Sequence, residues 1–286
     1  METSARGSDY QIYRQVISQV MQNQEQLPSL PSITLQLRAA LRDANCSPAR
    51  LTQMVMQDPS LAAMIMKTAN SALYTRPAQA HTLSDAMRML GTETLHDLVM
   101  FHSVKSLFVM RTPGLKKLFV LGWQRQAQKT AVCILLTHLT HFKPAYLPVT
   151  ACFLGELGSL AVLSAFKDQA QVPNVTDYIA LCKEFNKPLA TVLMRKWQLD
   201  TLYIDITRQT GDWTLNTGPV LTPQDLVHLA LYHALSLFSK VDDLPPLTAM
   251  QAYEKLPDAL KPLDKKGLLA CVSERENAIR EYLGQV

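Results

Sequence analysis

Residues 54–100, MVMQDPSLAAMIMKTANSALYTRPAQAHTLSDAMRMLGTETLHDLVM, consist almost entirely of helix starts, helix stops and apolar stripes. Asp58 followed by Pro59 is the N-cap then N1 arrangement that opens a helix: the carboxylate accepts free backbone N–H groups and proline arrives with a helical φ. Leu61, Ile65, Thr68 and Ala69 then fall on one face, which predicts a helix over 59–69. Asn70, which tolerates the left-handed αL conformation, is expected to end it. Gly91 is expected to do the same between helices over 83–90 and 93–108.

The same punctuation continues on both sides of this run. Ser47-Pro48 and Thr222-Pro223 repeat the cap-and-proline pair, and Asp225 stands at N3 after Thr222, an acidic form of the capping box. Apolar spacing predicts helices near 9–26, 31–43 and 48–57 before the run. After a break at Arg111-Thr112-Pro113-Gly114 it predicts helices near 115–142, 146–168, 174–185, 187–197, 200–210 and 223–240. A proline-rich link at 242–246 leads to two last helices near 248–256 and 262–283, and 211–221 reads as loop. The expected fold class is all-α. Its segments are an N-terminal helix (1–26), a first helical lobe (27–111), a second helical lobe (112–241) packed on the first, and C-terminal helices (242–286).

Composition agrees with this. The chain has 286 residues, 48% of them hydrophobic, enough for one large or two modest cores and too apolar for disorder. Only 10 residues are glycine, well below the usual ~7%, which disfavours an all-β fold. The net charge of +4 is spread evenly, so no polyanion footprint is visible, and the helix LAAMIMKTAN is too apolar to read a DNA groove. No nucleic-acid partner is therefore expected. The N-terminal stretch is polar, without the apolar core of a signal peptide, and no run approaches 18 uninterrupted apolar residues. The expected location is the cytoplasm, with no membrane partner. Five scattered cysteines, Cys46, Cys133, Cys152, Cys182 and Cys271, form no C-x-x-C pair and read as reduced, mostly buried thiols. No nucleophile elbow, Walker loop or Rossmann glycine pattern is present.

Several short motifs together carry a resemblance. Leu27-Pro28-Ser29-Leu30-Pro31, Gln57-Asp58-Pro59, Ala69-Asn70-Ser71-Ala72-Leu73-Tyr74, Ser84-Asp85-Ala86, Leu90-Gly91 and Leu95-His96-Asp97-Leu98-Val99 follow one another in order. In this the chain resembles the HDOD domain (HD-related output domain) of bacterial signalling proteins. Asp58, Pro59, Asn70, Ser71, Tyr74 and Gly91 are the family-motif positions, each also with a structural role as helix start, helix stop or packed ring. The resemblance implies that the second lobe is a degenerate HD-like bundle, the scaffold that in catalytic relatives places His and Asp ligands around metal. Trp123-Gln124-Arg125-Gln126, Phe153 to Leu160 and Leu189 to Leu199 keep the apolar frame and not the ligands. Arg125 stands where the first histidine would, Gly155-Glu156 where the His-Asp pair would, Asn186 at a later histidine and Gln209-Thr210 at a His-His pair. Val227-His228-Leu229-Ala230 is followed by Leu231 instead of an aspartate.

The implied function is a non-catalytic signalling module that binds a protein partner or a small molecule such as a nucleotide. No cofactor is expected, and the alternative is a metal-dependent phosphohydrolase acting on a nucleotide or phosphodiester. Arg125, Glu156, Asn186 and Gln209 would either line a vestigial pocket or form an internal polar network that seals it. His96-Asp97, the one literal His-Asp pair, is expected to be a solvated pair on a helix face. His138 and His141 suit a helix C-terminus better than a metal site. His228 and His233, five apart, are expected to divide between core and surface. Methionines cluster in the first lobe and read mainly as core, with Met56 and Met66 as candidates for exposure.

Overall fold

The helix starts marked by a capping residue form where the sequence places them. The computed structural model describes residues 2–23, 27–71, 79–108, 110, 112–169, 171–239 and 244–283. It opens with α1 (Glu2–Gln22) and α2 (Ser32–Arg42). Ser47 then caps α3 (Pro48–Met56) by accepting from the Arg50 amide, and Asp58 caps α4 (Pro59–Ala69) by accepting from Ser60 and Leu61. Thr82 caps α5 (Leu83–Leu107), and Thr112 caps α6 (Pro113–Leu139). The next elements are α7 (Tyr146–Leu154), α8 (Leu157–Ser164), α9 (Val175–Lys196) and α10 (Thr201–Gln209). Thr222 and Asp225 form the full capping box of α11 (Pro223–Ala234). Short helices α12 (Gln251–Glu254), α13 (Ala270–Ser273) and α14 (Glu276–Leu283) complete the chain. Among the described residues there is no strand, so the all-α class holds.

Some helix ends depart from the sequence expectations. Asn70 ends α4 at φ −95° and ψ 6°, not in αL. Its side chain does the work instead: Nδ2 donates to the Ala80 carbonyl at 3.1 Å and Oδ1 accepts from the Ala80 amide at 2.8 Å, clasping the two ends of the connection to α5. Ser71 Oγ donates to the Thr68 carbonyl. Tyr74 lies outside the described residues. Gly91, at φ 76° and ψ 167°, breaks the helix where expected, at a positive φ outside αL, so that α5 is two helical stretches meeting at a kink.

The run expected as one helix over 146–168 is two, α7 and α8, joined by a turn at Gly155-Glu156. The pair of helices expected at 174–185 and 187–197 is one, α9, with Pro188 inside. Pro188 removes one backbone donor, yet its φ is helical. Tyr178, Leu181, Phe185, Leu189 and Leu193 share one buried face across it, which offsets the loss. Past α11 the chain widens into a π-helical turn at Leu235–Ser239, and the expected helix over 262–283 is instead an irregular hairpin followed by α13 and α14.

A continuous set of buried side chains runs through both lobes. In the first, α4 and α2 pack on α5; in the second, α6 lies against α7, α8 and α11, and α8 against α9. The lobes meet where α5 crosses α7. Residues 146–164 are the one described stretch apolar enough to cross a membrane, and they form this core, 83% buried. Asp225 and Lys255, 2% and 6% exposed, make a buried ion pair at 3.0 Å that fastens the C-terminal segment to α11.

Candidate functional site

The positions at which the resemblance places metal ligands gather around the α7–α8 turn. Helix α6 presents Trp123, Gln126 and Lys129 toward it at helical spacing. Trp123 stacks on Phe119 and meets Phe153 edge-on, and Gln126 Nε2 donates to the Phe153 carbonyl at 2.8 Å. Lys129 Nζ then reaches Glu156 Oε1 at 2.8 Å, with the ammonium side chain 3% exposed and the carboxylate 26%. Burial works against both charges, but each opposes it for the other. The carboxylate holds the Lys129 ammonium above its ordinary pKa, and the ammonium holds Glu156 below the ordinary value.

Asn186 on α9 completes the turn from the other side. Its Nδ2 donates to the Gly155 carbonyl at 2.7 Å and its Oδ1 accepts from the Ser159 amide at 2.8 Å. The Gly155 carbonyl is thereby satisfied, and the Ser159 amide, which also bonds the Glu156 carbonyl, is shared with Asn186. The backbones are close enough here that a Cβ on Gly158 would meet the Asn186 carbonyl oxygen at 1.9 Å. Tyr178 donates its hydroxyl to the Ser159 carbonyl at 3.0 Å.

Of the four expected lining residues, Glu156 and Asn186 therefore share one site. Arg125 stands exposed beside it and contributes positive potential to Glu156. Gln209 is elsewhere: its side chain is exposed and its carbonyl accepts from His228 Nε2 at 3.1 Å. The residue that the sequence reading missed is Lys129. Its signal was a lone lysine ahead of the apolar run Ala131 to Leu136, one helical turn after Arg125. Chemically, a carboxylate neutralised by an internal ammonium is a poor ligand for a cation, because binding must first displace a partner held at contact distance. Among the described residues, no group of three or more His, Cys, Asp or Glu is placed to hold a metal ion.

Two expectations about histidines are corrected. His96 and Asp97 are not solvated; they are 5% and 6% exposed, in the seam between α5 and α7. Thr150 donates its hydroxyl to Asp97, Arg38 Nε donates to His96 Nε2 at 3.4 Å, and the His96 ring lies 5.1 Å from that of Tyr146. Burial, then Arg38 and Arg42, lower the His96 pKa to about 4, and burial pushes Asp97 well above the carboxylate range. His228 and His233 are both core residues, not one core and one surface. His233 Nδ1 donates to the Leu229 carbonyl and Nε2 accepts from the Leu269 amide, tying α11 to the C-terminal hairpin. His138 and His141 flank the end of α6, as expected.

Asp58 also does more than cap α4. Its Oδ2 pairs with His102 Nε2 at 2.7 Å, bracing α4 against α5. Burial opposes its charge, but bonds from Ser60, Leu61 and His102 prevail and bring its pKa to about 2.

Comparison with known proteins matches the HDOD domain family over residues 27–212. No curated protein matches. Among solved structures, the fold is similar to that of a Shewanella amazonensis protein provisionally named a metal-dependent phosphohydrolase, at 16% identity and TM-score 0.77, over 97% of this chain and 99% of that one. It is similar also to an HDOD domain protein with unknown function from Geobacter sulfurreducens, at 18% identity and TM-score 0.62, over 97% of each chain. A third, a Marinobacter aquaeolei protein provisionally named for signal transduction, gives 16% identity and TM-score 0.62 over 97% of this chain and 66% of that one.

Proposed function

Because the chain belongs to the HDOD domain family, we propose that it is a non-catalytic regulatory module of a bacterial cytoplasm, which signals by binding a protein partner or a small ligand. The observation that carries this reading is the Lys129–Glu156 pair. At the position where a catalytic relative would offer an aspartate to a metal, this chain offers a carboxylate already closed on a buried ammonium. Asn186 bonds the same turn through its amide, which is a structural role and not a ligating one. What remains of the HD frame is a rigid helical platform suited to presenting surfaces.

The test is a turnover assay on chelator-treated protein, resupplied in turn with Mg²⁺, Mn²⁺, Fe²⁺, Ni²⁺ and Zn²⁺, using a chromogenic phosphodiester and a nucleotide panel. No metal is expected to produce hydrolysis above the buffer rate. Metal-dependent hydrolysis that disappears in Glu156→Gln would instead establish the phosphohydrolase alternative.

A further inference from the structure

We propose that Arg38 and Arg42 of α2, with the Tyr203 hydroxyl of α10, bind a phosphate dianion at the seam between the lobes. Arg38 is only 8% exposed, yet most of its donors are idle. Nε donates to His96 Nε2 at 3.4 Å, and the two terminal nitrogens have no hydrogen-bond partner among the described residues. Those nitrogens stay open to solvent, whereas His96 Nδ1, in the same seam, is unpartnered and sealed. Burial and then the charge of Arg42 work against the Arg38 cation, and no carboxylate among the described residues stands at ion-pair distance from it. A charge withdrawn from water in this way is costly until an anion answers it.

The neighbouring groups leave that role open. Arg42 follows Arg38 by four residues, so both side chains rise from one face of α2, the second of them exposed. Tyr203, 2% exposed, lies in the field of both arginines, and its hydroxyl has no hydrogen-bond partner among the described residues. Of the carboxyl groups nearby, Asp97 is pushed toward its neutral form by burial and is bonded by Thr150, while Glu93 is engaged by Lys143 and the Ala145 amide. Two cationic charges call for a dianion. Donors from separate helices suit phosphate, whose oxygens point in several directions, better than a planar carboxylate. Because α2 belongs to the first lobe and α10 to the second, the bound anion fastens one to the other.

This gives the regulatory reading a ligand class and rests on that reading only for its purpose. Binding is measured by isothermal titration of the full chain with inorganic phosphate, phenyl phosphate and acetate, in a low-salt buffer free of phosphate. The expected result is saturable binding of one equivalent of phosphate or of its phenyl ester, the tighter of the two telling the free ion from a monoester, with acetate at least 10-fold weaker. Affinity should fall about 10-fold or more in Arg38→Met and in Arg42→Ala, and be unchanged in Arg50→Ala on exposed α3 surface. Arg42 is exposed, so its variant keeps the fold even if Arg38→Met disturbs the seam. Saturating phosphate should also raise the Tm of the parent protein and leave that of Arg38→Met unmoved. Absence of saturable binding would overturn the site, as would binding that both variants retain or acetate binding as tight as phosphate. Binding of a phosphopeptide without binding of either small phosphate probe would also overturn it. Loss of the site leaves the regulatory reading intact, whereas metal-dependent turnover would remove that reading and leave the site standing.

Discussion

In the second lobe the ammonium of Lys129 is 3% exposed and faces a carboxylate; in the first, Lys67 and Lys105 are exposed side chains at a concavity between α4 and α5. The first arrangement is closed, with each charge answered inside the protein and the adjoining backbone groups bonded by Asn186. The second leaves its charges at the exposed surface. The lobe whose sequence frame resembles a catalytic scaffold has thus committed its polar groups to itself. A frame shared with enzymes locates a fold and does not locate the working surface.

The most forceful way to break this contrast is at Gly158. Alanine there would drive a methyl group into the Asn186 backbone, which cannot turn aside as a side chain can. Gly158→Ala is expected to cost about 5 kcal/mol or more and to leave little folded protein, as circular dichroism and urea melts would report. A stable variant would mean that the α7–α8 turn is looser than its bonds imply.

The seam between the lobes is probed by acid. His96 is held at about 4 in the folded chain against about 6.5 when unfolded, so between those values the unfolded chain binds the extra proton. Stability should fall as pH drops through that window, by roughly 3 kcal/mol for this one group. Urea melts between pH 7 and pH 4 should show a flatter decline in His96→Gln than in the parent protein. Equal slopes would show that the seam opens before His96 protonates.

The mildest probe is Gly91→Ala in the first lobe, the counterpart of the Gly158 substitution. No atom lies within 4 Å of the new Cβ, so the penalty comes only from a backbone at φ 76° and ψ 167°. About 2 kcal/mol is expected, with the fold retained. Matched losses at the two glycines would erase the distinction between the lobes.

Helix starts were legible because a cap is local chemistry: Ser47, Asp58 and Thr222 each need only the amides two or three residues on. Helix continuations were not. Gly155 and Pro188 misled in opposite directions, one a break hidden in an apolar run and the other a helix breaker that breaks nothing. Both outcomes were decided by packing against segments distant in sequence: Asn186 for the turn, and α8 lying against the buried face of α9 for the proline. The candidate site was half legible for the same reason. Position along the HD frame found Glu156 and Asn186, but the partner that defines Glu156 lies 27 residues earlier on another helix. Burial of His96 and Asp97 depends on α7 lying across them, and no spacing along α5 reveals that.

The docking of α1 has a consequence for how the chain is made. Its apolar stripe, Tyr13, Ile17 and Val20, is buried in the finished protein, with Tyr13 edge-on to Phe166 at 5.4 Å. Tyr10 and Arg14 both bond Glu184 on α9, the former 174 residues away. During synthesis at ~5–20 residues per second, α1 waits roughly 10–30 s for α9, the helix that covers it, to be made. Throughout that interval its apolar face is open to whatever shelters nascent chains.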